Sequence, residues 1–186
     1  MSVSIVESFS AEKLSPNPHL SLDIELNGHS LGDEADWENV ISHAVGAAIA
    51  SDRTCSRVAS EVFVELVSNN RSQELNRDYR GKDKPTNVLS FPGVEPEDLD
   101  DAIAFSNAGG PPVPLGDLII AVDLVLLEAA EQKKPVSHHF AHLIVHGVLH
   151  LLGHDHIEED EAEAMEELER QILAQFDIPD PYREIV

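Results

Sequence analysis

The stretch “HGVLHLLGHDH”, residues 146–156, contains three histidines whose spacing suits one metal ion, namely His146, His150 and His156. On a helix, residues four apart lie on one face, so the first two can bind the same ion. Gly153 predicts the end of that helix, because glycine readily enters the left-handed conformation, and the chain would then bring His156 back. Three neutral imidazoles leave one tetrahedral position open, which is typical of a catalytic zinc site rather than a structural one.

The residues before this stretch extend its helix and indicate that the helix is buried. It is predicted to run from a cap at Ser137 to Leu152 and is apolar nearly all round. Buried histidines each need a polar partner, which one shared metal provides; histidines satisfied separately in a core are the alternative. His142 either positions a metal ligand without binding the ion itself, or only packs in the core. Asp155 either orients a ligand or accepts a proton, or it caps a helix. Three further histidines stay outside the predicted site: His138, His139 and His154.

Apolar periodicity elsewhere predicts strands and helices that alternate along the chain. Alternating or β-branched runs predict strands, and apolar residues three and four apart predict helices. The predicted strands are 20–26, 61–67, 86–91 and 115–121, and the other predicted helices begin near Asp36, Ser68 or Asn69, Val122 and Glu159. We therefore expect a single α+β domain over 19–186 with about four strands. Residues 1–18 are predicted to be a flexible tail, and the acidic segment 92–114, which contains glycines and prolines, a surface loop.

The cysteine content and the charge restrict the class of protein. A single cysteine, Cys55, excludes an internal disulfide and is typical of a reducing compartment. The first residues lack the basic and apolar regions of a signal peptide, and no run approaches the roughly 18 apolar residues of a membrane span. We therefore expect a cytoplasmic protein without membrane contact. The formal net charge of -23 argues against broad contact with nucleic acid, which lysine and arginine drive.

Basic residues are nevertheless concentrated in one segment. Five of the twelve lie between residues 71 and 84: Arg71, Arg77, Arg80, Lys82 and Lys84. Such a segment in an acidic protein predicts a local anion site, although a solvated helix end and turn would have the same composition. Within “YRGKDKPTN”, Arg80 precedes a turn, and a guanidinium can bind a phosphate through two hydrogen bonds.

The histidine spacing also matches a protease pattern, with one departure. Metzincin proteases carry H-E-x-x-H-x-x-G-x-x-H, and Gly147 stands here in place of their glutamate. That glutamate is the general base that directs the metal-activated water at a peptide carbonyl. Its absence disfavours peptide hydrolysis. Phosphodiester cleavage, which depends mainly on charge neutralisation and a metal-activated nucleophile, remains open.

Taken together, “HGVLHLLGHDH” and “LNRDYRGKDKPTNVLSFP” (75–92) resemble the YbeY family of bacterial endoribonucleases, also called ribosomal RNA maturation factors. “LGDLII”, “DEAEAMEELE” and “DPY” are similar to that family too, and the resemblance covers roughly residues 58 to 182. It implies a mixed sheet with helices and a zincin-like metal-binding helix in a cleft. It also implies a single-strand-specific, metal-dependent endoribonuclease acting on the 3′ end of small-subunit ribosomal RNA and in ribosome quality control.

The resemblance further implies one Zn²⁺ per chain, bound by His146, His150 and His156, and a functional role for Arg80. We expect Arg77, Lys82 and Lys84 to contact single-stranded RNA, including ribosomal RNA, rather than DNA, with help from ribosomal proteins or assembly factors. Metal-activated water would attack the phosphorus directly or activate the RNA 2′-hydroxyl. Two other classes stay open: a non-catalytic ribosome-assembly factor with a structural zinc, and another zinc hydrolase, including a protease with an unconventional base.

Overall fold

The computed structural model describes residues 19–33, 35–52, 54–156 and 158–183, in which strands and helices are interspersed. In chain order these described residues form β1 (Leu20–Glu25), α1 (Trp37–Ser51), β2 (Ser60–Val67), α2 (Asn69–Arg80), β3 (Val88–Pro92), α3 (Leu99–Asn107), β4 (Val113–Ala121), α4 (Val122–Glu131), α5 (Val136–Leu151) and α6 (Glu159–Ala174). None of these helices combines the length and apolar character that a bilayer crossing needs.

The four strands form one mixed sheet in the order β1-β2-β4-β3. β1 pairs with β2, and β2 with β4, in parallel, whereas β3 runs antiparallel to β4 along one edge. Parallel pairs need a crossover between their strands, and α1 supplies it between β1 and β2. The predicted fold class, a single α+β domain with a mixed sheet of about four strands, is confirmed.

The predicted histidine helix, α5, is the centre of the core. Most of its apolar residues are buried, and four of them have no exposed surface: Ile144, Val145, Val148 and Leu149. α1 packs beside it, where the Trp37 ring meets Phe140 edge-on at 5.6 Å between ring centroids. This environment explains why α5 is apolar nearly all round.

The edge strand β3 separates two packed layers. Side chains alternate across a strand, and Val88 and Ser90 face α5, near Gly147. Leu89 and Phe91 belong instead to a separate apolar cluster that also includes Leu75 of α2. α2 and α5 therefore lie on opposite faces of the sheet.

Two predictions were wrong, one about the loop 92–114 and one about the start of α5. The segment 92–114 is not only a surface loop, because α3 forms within it and buries Leu99 and Ile103 against the core. These residues are four apart, a helical spacing that the acidic, proline-containing composition obscured. Ser137 does not cap α5, since the helix begins at Val136 and Ser137 is buried in its first turn. The predicted tail, residues 1–18, lies outside the described residues.

We expect Gly147→Ala to destabilise the protein. A Cβ atom there would lie 2.8 Å from Leu118 Cδ2 and 3.3 Å from Ser90 Oγ. Such overpacking should lower the free energy of unfolding by about 1–3 kcal/mol, despite the higher helix propensity of alanine. Urea denaturation measures this, with Gly46→Ala in α1, at a half-buried helical glycine, as the comparison. Wild-type stability of Gly147→Ala would contradict the packing described.

We also expect the thiol of Cys55 to be unreactive in the folded protein. Burial and the nearby carboxylate of Asp52 raise the pKa of this thiol to about 11. At pH 8, alkylation by iodoacetamide should be on the order of a hundredfold slower than in urea, because the thiolate is the reactive form. The rate in the folded protein should rise about tenfold per pH unit between pH 7 and 9. Equal rates with and without urea would show that the thiol is exposed.

Candidate metal centre

The three motif histidines lie together at the carboxyl end of α5. His146 and His150 stand one turn apart, with 3.2 Å between their Nε2 atoms. Gly153 adopts a left-handed conformation (φ 86°), and the chain reverses after it as the sequence predicts. The reversal brings His156 back, so that one ring nitrogen from each histidine lies within 4.8 Å of the others.

Hydrogen bonds determine which nitrogen each helical histidine presents. His150 Nδ1 lies 2.9 Å from the carbonyl oxygen of His154, and His146 Nδ1 lies 2.8 Å from Glu169 Oε1. A carbonyl oxygen and an ionised carboxylate only accept hydrogen bonds, so both rings carry their proton on Nδ1. In the neutral form that metals bind, both rings therefore direct an Nε2 lone pair toward the space they share.

This arrangement fits a metal ion. Two unprotonated nitrogens at 3.2 Å repel each other unless a cation lies between them. Nitrogens bound tetrahedrally at zinc are about 3.3 Å apart, given bond lengths of about 2.0–2.1 Å. Burial, followed by repulsion from His146 and His156, lowers the pKa of His150 to about 4, so that ring stays in the neutral form that metals need. The three histidines could thus hold one ion.

Glu169 of α6 organises the centre, and it was not among the predicted site residues. It is fully buried, and its carboxylate contacts His146 Nδ1 and His142 Nε2, both at 2.8 Å, and accepts a hydrogen bond from the Tyr182 hydroxyl. Burial alone would raise the pKa of Glu169, but these hydrogen bonds outweigh it and lower the pKa to about 2. Glu169 is therefore an ionised acceptor that fixes the His146 ring.

A signal for Glu169 was present in the sequence. It lies four residues after Met165 and three before Ile172, both buried, and hence on the apolar stripe of α6. A glutamate at a core-facing position needs a partner.

The contacts of His142 and Asp155, two residues near the predicted metal ligands, indicate their roles. His142 binds the same carboxylate as His146, so it supports the ligand through Glu169 rather than only packing. Asp155 is exposed, and its Oδ1 accepts a hydrogen bond from the backbone N–H of His156 at 2.7 Å. That bond holds the turn that carries the third histidine. His154 contributes its carbonyl oxygen to His150.

The glycine that replaces the protease glutamate is tightly packed. Gly147 is buried against the sheet, and its carbonyl oxygen accepts a hydrogen bond from Ser90 Oγ at 3.1 Å. A side chain there would meet Leu118 and Ser90 rather than open space. A glutamate at this position would therefore disrupt the contact between α5 and the sheet, which accounts physically for its absence.

The predicted anion-binding residue, Arg80, is the last residue of α2 and is exposed. The turn that follows is held firmly against the helix. Ser72 Oγ donates to the carbonyl oxygen of Thr86 at 2.6 Å, and Asn76 Nδ2 donates to that of Lys84 at 2.7 Å. The buried side chains of Ser72 and Asn76 thus fix the path of the basic turn.

The structure does not place Arg80 in contact with the histidines in the residues it describes. α2 lies on the opposite face of the sheet from α5, and Tyr79, beside Arg80, packs on Phe91 of β3 with 5.1 Å between ring centroids. Because β3 is an edge strand, a substrate would have to pass around that edge to contact both Arg80 and the histidines. Three further residues, predicted to contact RNA, are also exposed here: Arg77, Lys82 and Lys84. Arg77 Nε pairs with Asp78 at 2.9 Å.

Comparison with known proteins agrees with these features. The family described as “Endoribonuclease YbeY” matches residues 23–177. The chain belongs to this family. Endoribonuclease YbeY of Chromohalobacter salexigens is 53% identical over 171 residues, which are 92% of this chain and 100% of the relative. Endoribonuclease YbeY of Rhizorhabdus wittichii is 50% identical over 157 residues, 81% of this chain and 89% of the relative.

A protein of Thermotoga maritima, with a structure determined in solution, covers 88% of this chain and 99% of its own, with a TM-score of 0.49 and 22% identity. The YbeY family is thus established from sequence, over most of the chain. Its members are named as endoribonucleases, hydrolases that act on RNA.

We expect Glu169→Gln to weaken metal binding at the histidines. A neutral amide fixes the His146 ring less well, and loss of such a supporting hydrogen bond typically reduces metal affinity about 10–100-fold. Titration with Co²⁺, followed by visible absorption against a competing chelator, measures the affinity. Glu167→Gln is the matched control, because Glu167 is exposed on the same helix and pairs with Arg170 at 3.1 Å. Equal affinities for the two variants would contradict the role given to Glu169.

Proposed function

We propose that this protein is a zinc-dependent, single-strand-specific endoribonuclease that acts in ribosomal RNA processing. The observation that carries the proposal is the set of three converging histidine nitrogens in a member of the YbeY family. Named relatives at about 50% identity support RNA as the substrate class. We further propose that it acts on the 3′ end of small-subunit ribosomal RNA, takes part in ribosome quality control and is located in the cytoplasm.

In this proposal His146, His150 and His156 hold one Zn²⁺. The ion would supply a Lewis acid for the phosphodiester and lower the pKa of a water molecule. The chain's own residues prepare that site: Glu169 and the carbonyl oxygen of His154 keep both helical rings protonated on Nδ1. Packing of Gly147 against the sheet leaves no place for the general base of a protease.

Arg80 is proposed to bind a phosphate of the RNA. Its guanidinium is exposed at the end of a helix whose following turn is fixed by buried side chains, so little order has to be gained on binding. Arg77, Lys82 and Lys84 would bind neighbouring phosphates. RNA in this position passes around the edge of β3 from the basic turn to the histidines.

The overall charge limits how the RNA is held. At a net charge of -23, the RNA is expected to be held mainly at Arg77, Arg80, Lys82 and Lys84, so that the bound footprint is short and the affinity falls steeply with salt. Ribosomal proteins or assembly factors are proposed to present the RNA strand.

Four proteins test the proposal on one labelled single-stranded RNA: wild type, His150→Ala, Arg80→Ala and Arg71→Ala. We expect His150→Ala to lose both zinc and cleavage. Arg80→Ala should keep zinc but cleave on the order of a hundredfold more slowly, because it loses stabilisation of transition-state charge. Arg71→Ala is the control, since this arginine is exposed near the start of the same helix and pairs with Glu74 at 3.3 Å.

Equal cleavage by wild type and His150→Ala would identify a contaminating nuclease and overturn the proposal. Zinc binding without cleavage in the wild type would favour the non-catalytic assembly factor. The RNA ends separate the two chemical routes, because a 2′,3′-cyclic phosphate requires attack by the 2′-hydroxyl.

A further inference from the structure

A cleft of about 380 Å³ adjoins the histidine centre. His142 and His146 are among the residues that line it, so anything bound there lies beside a candidate metal ligand. Glu128 of α4 and Asn87, which precedes β3, also line the cleft. Neither residue has a role in the function proposed above.

Glu128 is held in place from two directions. Asn87 Nδ2 donates to both carboxylate oxygens, at 3.0 and 3.3 Å, and His139 Nε2 lies 2.8 Å from Oε2. Burial alone would raise the pKa of Glu128, but the hydrogen bonds with His139 and Asn87 outweigh it and lower the pKa. The side chain remains 28% exposed, so an ionised carboxylate of fixed orientation reaches the cleft.

The position of His139 supports this description. Its side chain is 5% exposed, and its Nε2 donates to the ionised carboxylate of Glu128 at 2.8 Å. This contact holds the carboxylate from the side of α5. A carboxylate has about four lone-pair positions, and Asn87 and His139 leave some of them free.

Two further groups complete the cleft. Tyr182, whose residue is 39% exposed, presents an aromatic ring that meets His142 edge-on at 5.5 Å between centroids. Lys134 also lines the cleft, and its Nζ donates to the carbonyl oxygen of Pro181 at 2.7 Å, which leaves two of its three protons for other acceptors. The cleft thus offers an anionic acceptor, an aromatic surface and a cationic donor.

We propose that this cleft binds a guanine base of the RNA next to the cleaved phosphate. The inference rests on the proposed function and adds a base preference to it. Guanine has two adjacent donors, N1–H and the 2-amino group, that match the carboxylate of Glu128, and its O6 can accept from Lys134. The Arg170 guanidinium lies over the Tyr182 ring at 5.8 Å from its centroid, and the part of the ring that stays exposed can contact the base.

The other bases match this cleft less well. Adenine and cytosine each place an acceptor nitrogen beside a single amino group, and uracil flanks its one N–H with two carbonyl oxygens. A fixed carboxylate repels those acceptors, so the same group that selects guanine acts against the alternatives. The size of the cleft is within the range of small-molecule sites.

Binding of five nucleoside 5′-monophosphates to the zinc-loaded wild-type protein, measured by NMR titration, tests the inference. The five carry guanine, hypoxanthine, adenine, cytosine and uracil. Because they share the ribose phosphate, differences in affinity report the base. We expect the guanine nucleotide to bind about tenfold tighter than the adenine, cytosine and uracil nucleotides, as loss of a hydrogen bond to a charged group implies. The hypoxanthine nucleotide, which lacks the 2-amino group, should be intermediate.

Glu128→Gln should abolish this preference, while Asp123→Asn should keep it. Asp123 is an exposed residue on α4 and does not line the cleft, so the control removes the same charge from the same helix. Thermal unfolding verifies that both variants fold. If Glu128→Gln does not fold, the comparison of the five bases on the wild-type protein still decides the question. Equal affinity of wild type for all bases, or an unchanged preference in folded Glu128→Gln, would overturn the inference.

RNA cleavage by the same preparations keeps this result separate from the proposed function. Cleavage without a base preference in binding would leave the endoribonuclease proposal standing and overturn the guanine site. A guanine preference that Glu128→Gln removes, in a protein that cuts no RNA, would support the cleft and contradict the enzyme.

Discussion

The buried carboxylate of Glu169 is the constraint on which the rest of the site depends. It joins α6, α5 and the segment after α6, because His142, His146 and the Tyr182 hydroxyl all bond to it. A buried charge is stable only with such partners, so the three elements have to meet at this position. The same bonds set the proton of His146 on Nδ1 and turn its other nitrogen toward His150. Glu169 therefore both holds three elements together and orients a candidate metal ligand.

The edge strand β3 has a comparable role in the fold. Its alternation sends Val88 and Ser90 to the histidine helix and Leu89 and Phe91 to α2. It thus supports the candidate metal centre from one side and the basic turn from the other. It has five residues and, among the residues that the structure describes, pairs only with β4, so it leaves a short edge between the two regions.

Much of this arrangement could be predicted, and the reasons for success and failure are local. The convergence of His146, His150 and His156 follows from helical geometry and one glycine, and the strands follow from alternation. Glu169 was missed because its three partners lie 13 to 27 residues away, where spacing gives no information. The separation of Arg80 from the histidines depends on which sheet face each helix covers. That is a tertiary property, and no local pattern encodes it.

The three histidines differ in how they are held, and this affects the entropy of chelation. His146 and His150 are fixed on one helix, each with a hydrogen bond behind its ring, so they lose little freedom when they share an ion. His156 is exposed and follows the left-handed turn at Gly153. Most of the ordering that a bound ion requires is therefore confined to one side chain and its short turn. The helix thus acts as a rigid bidentate chelator to which the turn adds a third, more adaptable donor.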